Sequence, residues 1–437
     1  MKKIILFAGL FTFSIFASAQ NTALKATIAQ KAASLESKVI TWRRDFHQNP
    51  ELGNREFKTA EKIAAHLRSL GIEVQTGVAK TGVVGILKGG KPGPVVALRA
   101  DMDGLPVKER VNIPFASKAE GEYNGQPVGV MHACGHDSHI AILMGTAEIL
   151  ASIKSELNGT VKFIFQPAEE GAPEGEEGGA ALMVKEGVLE NPKVDVIFGL
   201  HISAQTEVGK INYRPKGAMA SSDWFKIKIK GKQSHGASPW QSVDPIVTAS
   251  QIILGLQTIV SRNVDLTESA AVVSVGKVTA GVRSNIIPEE LEMAGTIRTL
   301  DSKVQEMIHN RLKQITTNIA ESAGATAEVS ITKQTLITYN DPVLTEKMVP
   351  TLEAVAGKNN VVLTPAATGA EDFSYYQDKV PGLFFFLGGM PKGKNPSETA
   401  SHHTPDFYID ESGFVLGMKA MSDLTIDYME MDTKKSK

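Results

Sequence analysis

Apolar runs that stop at chemically active side chains punctuate the first half of the chain. "PVVALRADMDGLP" runs into Asp101 and Asp103, "TVKFIFQPAEEG" into Glu169 and Glu170, and "VDVIFGLH" into His201. These runs are rich in β-branched residues and bounded by glycine and proline, as strands buried on both faces are. Helical spacing separates them, for example over 138–157. The alternation predicts an α/β fold with a mostly parallel sheet. Open sheets of this kind bind ligands where the carboxyl ends of the strands meet. Three strands would deliver carboxylates and a histidine to one rim, which suits a metal site.

From 218 to 332 the period changes. "DWFKIKIKG" alternates, "VDPIVTASQIILGLQTIVS" has helical spacing, and "AAVVSVGKVTAG" and "LEMAGTIRTL" read as strands. A second helix, "KVQEMIHNRLKQITTNIAESAG", and a last strand, "TAEVSITKQ", complete a βαββαβ order. That order predicts a ferredoxin-like unit inserted into the larger α/β domain, whose two parts are then 20–217 and 333–437. The length, 437 residues, also exceeds what one core usually holds.

The N-terminus has two lysines, an apolar run from Ile4 to Phe16 and then Ala17-Ser18-Ala19. This is the pattern of a cleaved signal peptide over residues 1–19, and the run is short of the ~20 residues that span a bilayer. The alternative is a membrane anchor. The expected location is periplasmic or secreted, and no later stretch is apolar enough to suggest a membrane partner. With 46 basic against 48 acidic residues, there is no electrostatic case for nucleic acid.

Export changes the meaning of Cys134, the single cysteine, which lies between His132 and His136 in "MHACGHD". In an oxidising compartment it has no internal disulfide partner, so it is either an inert buried residue or a thiolate in use. Cys134, His136, Glu170, His201 and His403 together offer thiolate, imidazole and carboxylate donors. That set suits zinc or manganese and poorly suits calcium.

"RADMDGLP", "HACGHDSH", "QPAEEG", "GLH", "GKQSHGASP", "RSNIIPEE", "GTIRT", "GAEDFSYY" and "SHHTPDFYIDE" resemble, in order from about Arg43 to Phe414, the amidohydrolase branch of the aminoacylase and carboxypeptidase metallopeptidase family. That branch includes hippurate hydrolases and hydrolases of indole-acetyl amino acids. The resemblance implies two divalent metal ions held by Cys134, His136, Glu170, His201 and His403. Cys134 would stand where other branches place a bridging aspartate, and a thiolate can bridge two cations. His402 is the alternative to His403, which is the one two residues before the proline.

By the same resemblance Glu169 is the general base beside its ligand neighbour Glu170. Asp103 orients a ligand, because this chain reads "DMD" where related branches have a metal-binding histidine followed two residues later by an aspartate. Asp101 receives no role beyond structure, and His132 and His139 have similar status. The inserted unit becomes a lid and a homodimer surface. Its His235 would reach the neighbouring subunit's site to stabilise an oxyanion, and Asn285 and Arg298 would hold the substrate's amide or carboxylate. Glu371 contacts substrate or orients a ligand. The expected reaction is hydrolysis of the amide bond of a small N-acyl amino acid. The alternatives are a dipeptidase or carboxypeptidase and, outside enzymes, a periplasmic metal- or peptide-binding protein.

Overall fold

The computed structural model describes residues 8–433, with side chains from 21 to 431. The leader expected over residues 1–19 therefore has no described side chain, and residues 1–7 lie outside altogether. The chain divides into two compact units. The first runs through Tyr213 and adds Asp341–Thr364 and the chain from Tyr376 onward; the second is Arg214–Asn340 with Pro365–Tyr375.

The first unit is built on eight strands. Their order is Glu73–Val78, Gly82–Lys88, Asn158–Gln166, Lys91–Asp101, Val196–Glu207, Gly382–Met390, Ile211–Tyr213 and Val361–Leu363. The four central strands run parallel to one another. Lys91–Asp101 is flanked by the two long strands that follow it in the chain, the reversal of strand order at which open sheets form a crevice. Its last eight residues are buried save one, so it meets apolar material on both faces.

The helix expected over 138–157 begins earlier, at His136, and ends at Ser152, with a short 3-10 turn at Lys154–Glu156. The reason for the early start is Gly135. Its φ is 95°, and an added Cβ would come 2.3 Å from Ile202 Cγ2, so the chain turns sharply there straight into the helix. Ile140, Leu143, Ala147 and Leu150 then pack into the core with Phe414, Met418 and Leu424 of the Phe414–Thr433 helix.

Two strand ends differ from expectation. The strand expected to stop at His201 continues to Glu207, because Gly382–Met390 keeps pairing with it through Phe386↔His201 to Gly388↔Ser203. On its other side Lys91–Asp101 pairs only as far as Arg99↔Gly199, so His201 lies just past its neighbour's ladder, beside an open rim. Glu169 and Glu170 are not on a strand. Their strand ends at Gln166, Pro167 follows, and Ala168 takes φ 50° to form a turn.

The second unit is an antiparallel sheet in the order Ala271–Ala280, Glu290–Thr299, Ser222–Lys230 and Thr326–Thr335, with the helices Pro245–Asn263 and Ser302–Ser322. Phe225, Ile227 and Ile229 are buried and alternate with exposed Trp224, Lys226, Lys228 and Lys230. The buried face meets Ile252, Leu256, Ile308 and Leu312 of the helices. Asp244 and Asp301 cap the two helices, each accepting from two backbone amides of the first turn. Pairing of Lys216–Met219 with Thr338–Asn340 adds residues on either side of 218–332 to this unit. Among the described residues no helix is long and apolar enough to cross a membrane.

Candidate metal centre

At the carboxyl rim of the parallel strands, donor atoms converge from four chain segments. Cys134 comes from the turn before the His136 helix and His201 from the edge of a strand. Glu169 and Glu170 come from the turn after Gln166, and His403 from a loop near the C-terminus. His403 is fixed there at φ 62° by its own amide, which donates to the Ala133 carbonyl at 2.8 Å. Cys134 Sγ lies 3.4 Å from His201 Nε2 and 3.3 Å from His403 Nε2. His403 Nε2 is also 3.0 Å from Glu170 Oε1. Two donor groups therefore share the thiol: Cys134, His136 and His201 on one side, and Cys134, Glu170 and His403 on the other.

These donors fit divalent cations. The Nε2 atom of His136 is buried and has no hydrogen-bond partner, yet carboxylate oxygens of Asp101, Glu169 and Glu170 stand 3.7, 3.8 and 3.9 Å away. Ligand bonds of about 2.0–2.3 Å in tetrahedral geometry separate donors by roughly 3.3–3.8 Å, which matches this spacing. The electrostatics agree. Burial pulls His136 down, but Asp101, Asp103 and Glu170 outweigh it and raise it to about 10, so this spot calls for a positive charge. Burial, with Glu170, Glu169 and Asp101, pushes the Cys134 thiol well above its usual range. A cation reverses that balance and makes the thiolate the stable form.

Each imidazole is oriented by a second bond. Asp103 Oδ1 lies 3.2 Å from His136 Nδ1, while its Oδ2 accepts from the Glu170 amide at 2.9 Å, so one carboxylate fixes two donors. His201 Nδ1 donates to the Ile202 carbonyl at 2.6 Å, which leaves the Nε2 lone pair facing Cys134. Burial, with His139 and His402, also holds His201 well below the usual histidine range, and a neutral imidazole is the ligating form. At His403 the hydrogen bond it gives to Glu170 outweighs burial and raises the pKa.

Sequence reasoning gave Asp101 no role, and the structure assigns it a definite environment. It is fully buried, accepts from Arg99 Nη1 at 2.7 Å and from His139 Nδ1 at 2.6 Å, and faces His136. His139 Nε2 accepts from the Ile202 amide at 2.8 Å, so its proton must be on Nδ1, where it reaches Asp101. The available signal was spacing: Arg99, Asp101 and Asp103 alternate along an extended segment, and His136 and His139 are three apart on a helix. His132 is buried with both ring nitrogens unpartnered, and burial lowers it to about 4.

The remaining sequence-derived residues lie in the second unit. His235 and Asn285 adjoin, because Ser234–His235 pairs with Ile286–Ile287 and the Gly236 amide donates to the Asn285 carbonyl at 2.8 Å. Arg298 is near the opposite end of the four-stranded sheet, where its Nη1 donates to Thr296 Oγ1 and, at 3.0 Å, to the Ile297 carbonyl. Glu371 is buried, and its Oε1 accepts from the Phe373 amide at 2.9 Å.

A mostly parallel α/β sheet with clustered thiol, imidazole and carboxylate donors at its rim, and a βαββαβ insertion, defines a metal-dependent hydrolase. The chain belongs to peptidase family M20/M25/M40, whose sequence pattern matches residues 97–427. It is 40% identical over 396 residues to thermostable carboxypeptidase 2 of Saccharolobus solfataricus, a match covering 90% of this chain and 96% of that one. N-acetylcysteine deacetylase of Bacillus subtilis is 38% identical over 405 residues, covering 92% and 99% respectively. Among solved structures, the YXEP protein of Bacillus subtilis, a dinuclear metal binding peptidase, matches with TM-score 0.76 and 36% identity, over 91% of this chain and 99% of that one.

Proposed function

We propose that this enzyme hydrolyses the amide bond of small N-acyl amino acids at a centre of two divalent cations held by Cys134, His136, Glu170, His201 and His403. The observation that carries this reading is the thiol of Cys134, shared between two donor groups, with the Glu169 carboxylate beside them, 3.8 Å from His136 Nε2. Zinc or manganese, which the donor set suits, would when bound supply Lewis-acid polarisation of the scissile carbonyl and lower the pKa of the attacking water. Glu169 accepts that water's proton and returns it to the leaving nitrogen. Arg298 pairs with the substrate carboxylate through its planar fork, and Asn285 holds the amide. His235 donates to the developing oxyanion.

His235 and Arg298 lie near opposite ends of one sheet. Seven residue steps, roughly 24 Å at about 3.4 Å per step, span the strand Asp223–Lys230 that runs between the end paired with Ile297 and the end leading to His235. That span supports a homodimer in which each His235, with Asn285 beside it, serves the partner's site. The edge strand Ala271–Ala280, with Val272 and Val278 exposed, is a surface for that pairing. The leader pattern supports action outside the cytoplasm.

A second reading, a carboxypeptidase acting on peptides, is favoured by the identity to the Saccharolobus enzyme. A panel of N-acetyl, N-benzoyl and N-aminoacyl amino acids, assayed with zinc or manganese supplied, separates the two. The first reading expects kcat/KM to be highest on the N-acetyl or N-benzoyl compounds. Faster turnover of the N-aminoacyl compounds would replace it with the second.

A further inference from the structure

The turn bearing Glu169 and Glu170 is held from outside by "ELGNREF", residues 51–57, a segment that belongs to none of the motifs above. Gly53 packs so closely beneath the turn that an added Cβ would lie 3.0 Å from the Gly171 carbonyl oxygen and 3.2 Å from Ala168 Cα. Asn54 Nδ2 donates to the Glu177 carbonyl and to Glu176 Oε2, both at 3.0 Å, and Arg55 Nη2 donates to Glu176 Oε1 at 2.5 Å. These contacts tie down the far side of the loop that follows the glutamates.

Glu56 acts at the turn itself. Its side chain is fully buried, its Oε1 accepts from the Ala168 amide at 2.9 Å, and Thr81 Oγ1 lies 2.6 Å from its Oε2. Ala168 is in the left-handed region at φ 50°, which a residue with a Cβ rarely adopts unless its surroundings enforce it. One residue beyond Glu169, the Glu170 amide is held by Asp103 at 2.9 Å. Two buried carboxyl groups thus fix the amides on either side of Glu169.

We propose that Glu56 is a positioning residue for Glu169, holding the Ala168 turn so that the carboxylate of Glu169 faces the metal-binding donors. This rests on the reading of Glu169 as the proton acceptor. Burial, followed by the charge of Asp103, raises Glu56 to about 8, against the lowering effect of the hydrogen bonds from Thr81 and the Ala168 amide. Glutamine keeps a carbonyl acceptor for the Ala168 amide and sets its own amide beside Thr81 Oγ1, whose hydroxyl turns from donor to acceptor. Alanine removes both bonds.

Glu56→Ala, Glu56→Gln and Glu169→Gln are compared as metal-loaded enzymes on the best N-acyl amino acid of the panel. Hydrogen exchange is followed in the metal-free forms. Glu56→Ala should keep two ions per chain and KM within about twofold, yet lose kcat on the order of 10- to 100-fold, the size expected of a misaimed catalytic group. Glu56→Gln should restore kcat to within about threefold. The amides of residues 168–170 should exchange faster in Glu56→Ala than in wild type or Glu56→Gln. Adding Glu56→Ala to Glu169→Gln should cause no further loss of kcat, because a group acting only through Glu169 has nothing left to position.

Wild-type kcat in Glu56→Ala, or losses that multiply in the double variant, would overturn the proposal. Full activity in Glu169→Gln would instead remove the reading beneath it. Should Glu56→Ala fail to fold, Glu56→Asp is the substitute. It shortens the reach to Ala168 while keeping a buried carboxyl, and is expected to give the same kcat loss and faster exchange; wild-type values in both would reject the role.

Discussion

The amide of Ala204 donates to Nε2 of His402 across 3.1 Å, and Nδ1 of the same ring lies 3.1 Å from the Cys134 carbonyl oxygen. With Nε2 accepting, the ring proton is on Nδ1 and is given to that carbonyl. Both nitrogens are therefore engaged with backbone, and Nδ1 also stands 3.6 Å from Cys134 Sγ. His403, its neighbour, turns Nε2 toward Cys134 and Glu170 instead. The doublet thus divides into one imidazole that braces the Cys134 loop and one that faces the donor cluster.

This division predicts different losses from the two histidines. His403→Asn should lower bound metal by about one ion per chain, and turnover with it, because it removes a ligand atom. His402→Ala should lower the melting temperature and leave the stoichiometry unchanged at saturating metal. Metal analysis by mass spectrometry beside thermal unfolding reads both. The reverse pattern would make His402 the ligand.

Glu169→Gln should retain both ions and lose kcat by about 10²–10⁴-fold, the range of a missing general base. Metal content must be measured in the same preparation. Loss of an ion with loss of rate would show that Glu169 ligates rather than accepts a proton.

How much of this was legible in the sequence depended on the reach of each interaction. The alternation in Ser222–Lys230 is local and was readable, since a lysine follows each inward apolar residue from Phe225 to Ile229. Glu169 and Glu170 were readable because an apolar strand stops just before them at Gln166, whereas Cys134 and His403 were found through their motifs. The strand through His201 was misjudged because its length depends on a partner strand near residue 386, far along the chain. The bonding roles of Glu56, Asp101, His139 and His402 stayed silent for a related reason, although His402 stood as the alternative to His403. Three of them bond to backbone amides, at Ala168, Ile202 and Ala204, and Asp101 bonds to two side chains. A backbone amide leaves no mark in sequence, so such partners exist only once the fold has formed.

Stability should depend on pH through Asp423, on the Phe414–Thr433 helix. Burial raises its pKa to about 7 from an ordinary 3.8, with Asp427 adding to the rise and Lys25 and Lys419 opposing it, and its Oδ1 has no hydrogen-bond partner. Between those two values the folded chain holds a proton that the unfolded chain has released. Raising pH from about 4 to about 7 therefore destabilises the fold through this group, and above about 7 the penalty is complete. Asp423→Asn cannot ionise and escapes it. Its melting temperature should match wild type near pH 4 and exceed it at pH 8, and a difference independent of pH would reject the assignment.

The dimer predicted from His235 can be tested without a structure of the complex. His235→Ala and Glu169→Gln homodimers should each be nearly inactive, since every composite site in the first lacks the oxyanion donor and every site in the second lacks the base. Refolding an equal mixture makes about half the dimers hybrids, if exchange is random and the dimer two-fold symmetric. In a hybrid, the chain carrying His235→Ala keeps its own Glu169 and receives an intact His235 from its partner, so its site is whole. The other site carries both lesions. One whole site in about half the dimers gives about one quarter of wild-type activity. If His235 instead serves its own chain, each site of the hybrid carries one lesion and none is whole. Activity that stays at the average of the two parents, with hybrids demonstrated by mass, would therefore reject the shared site.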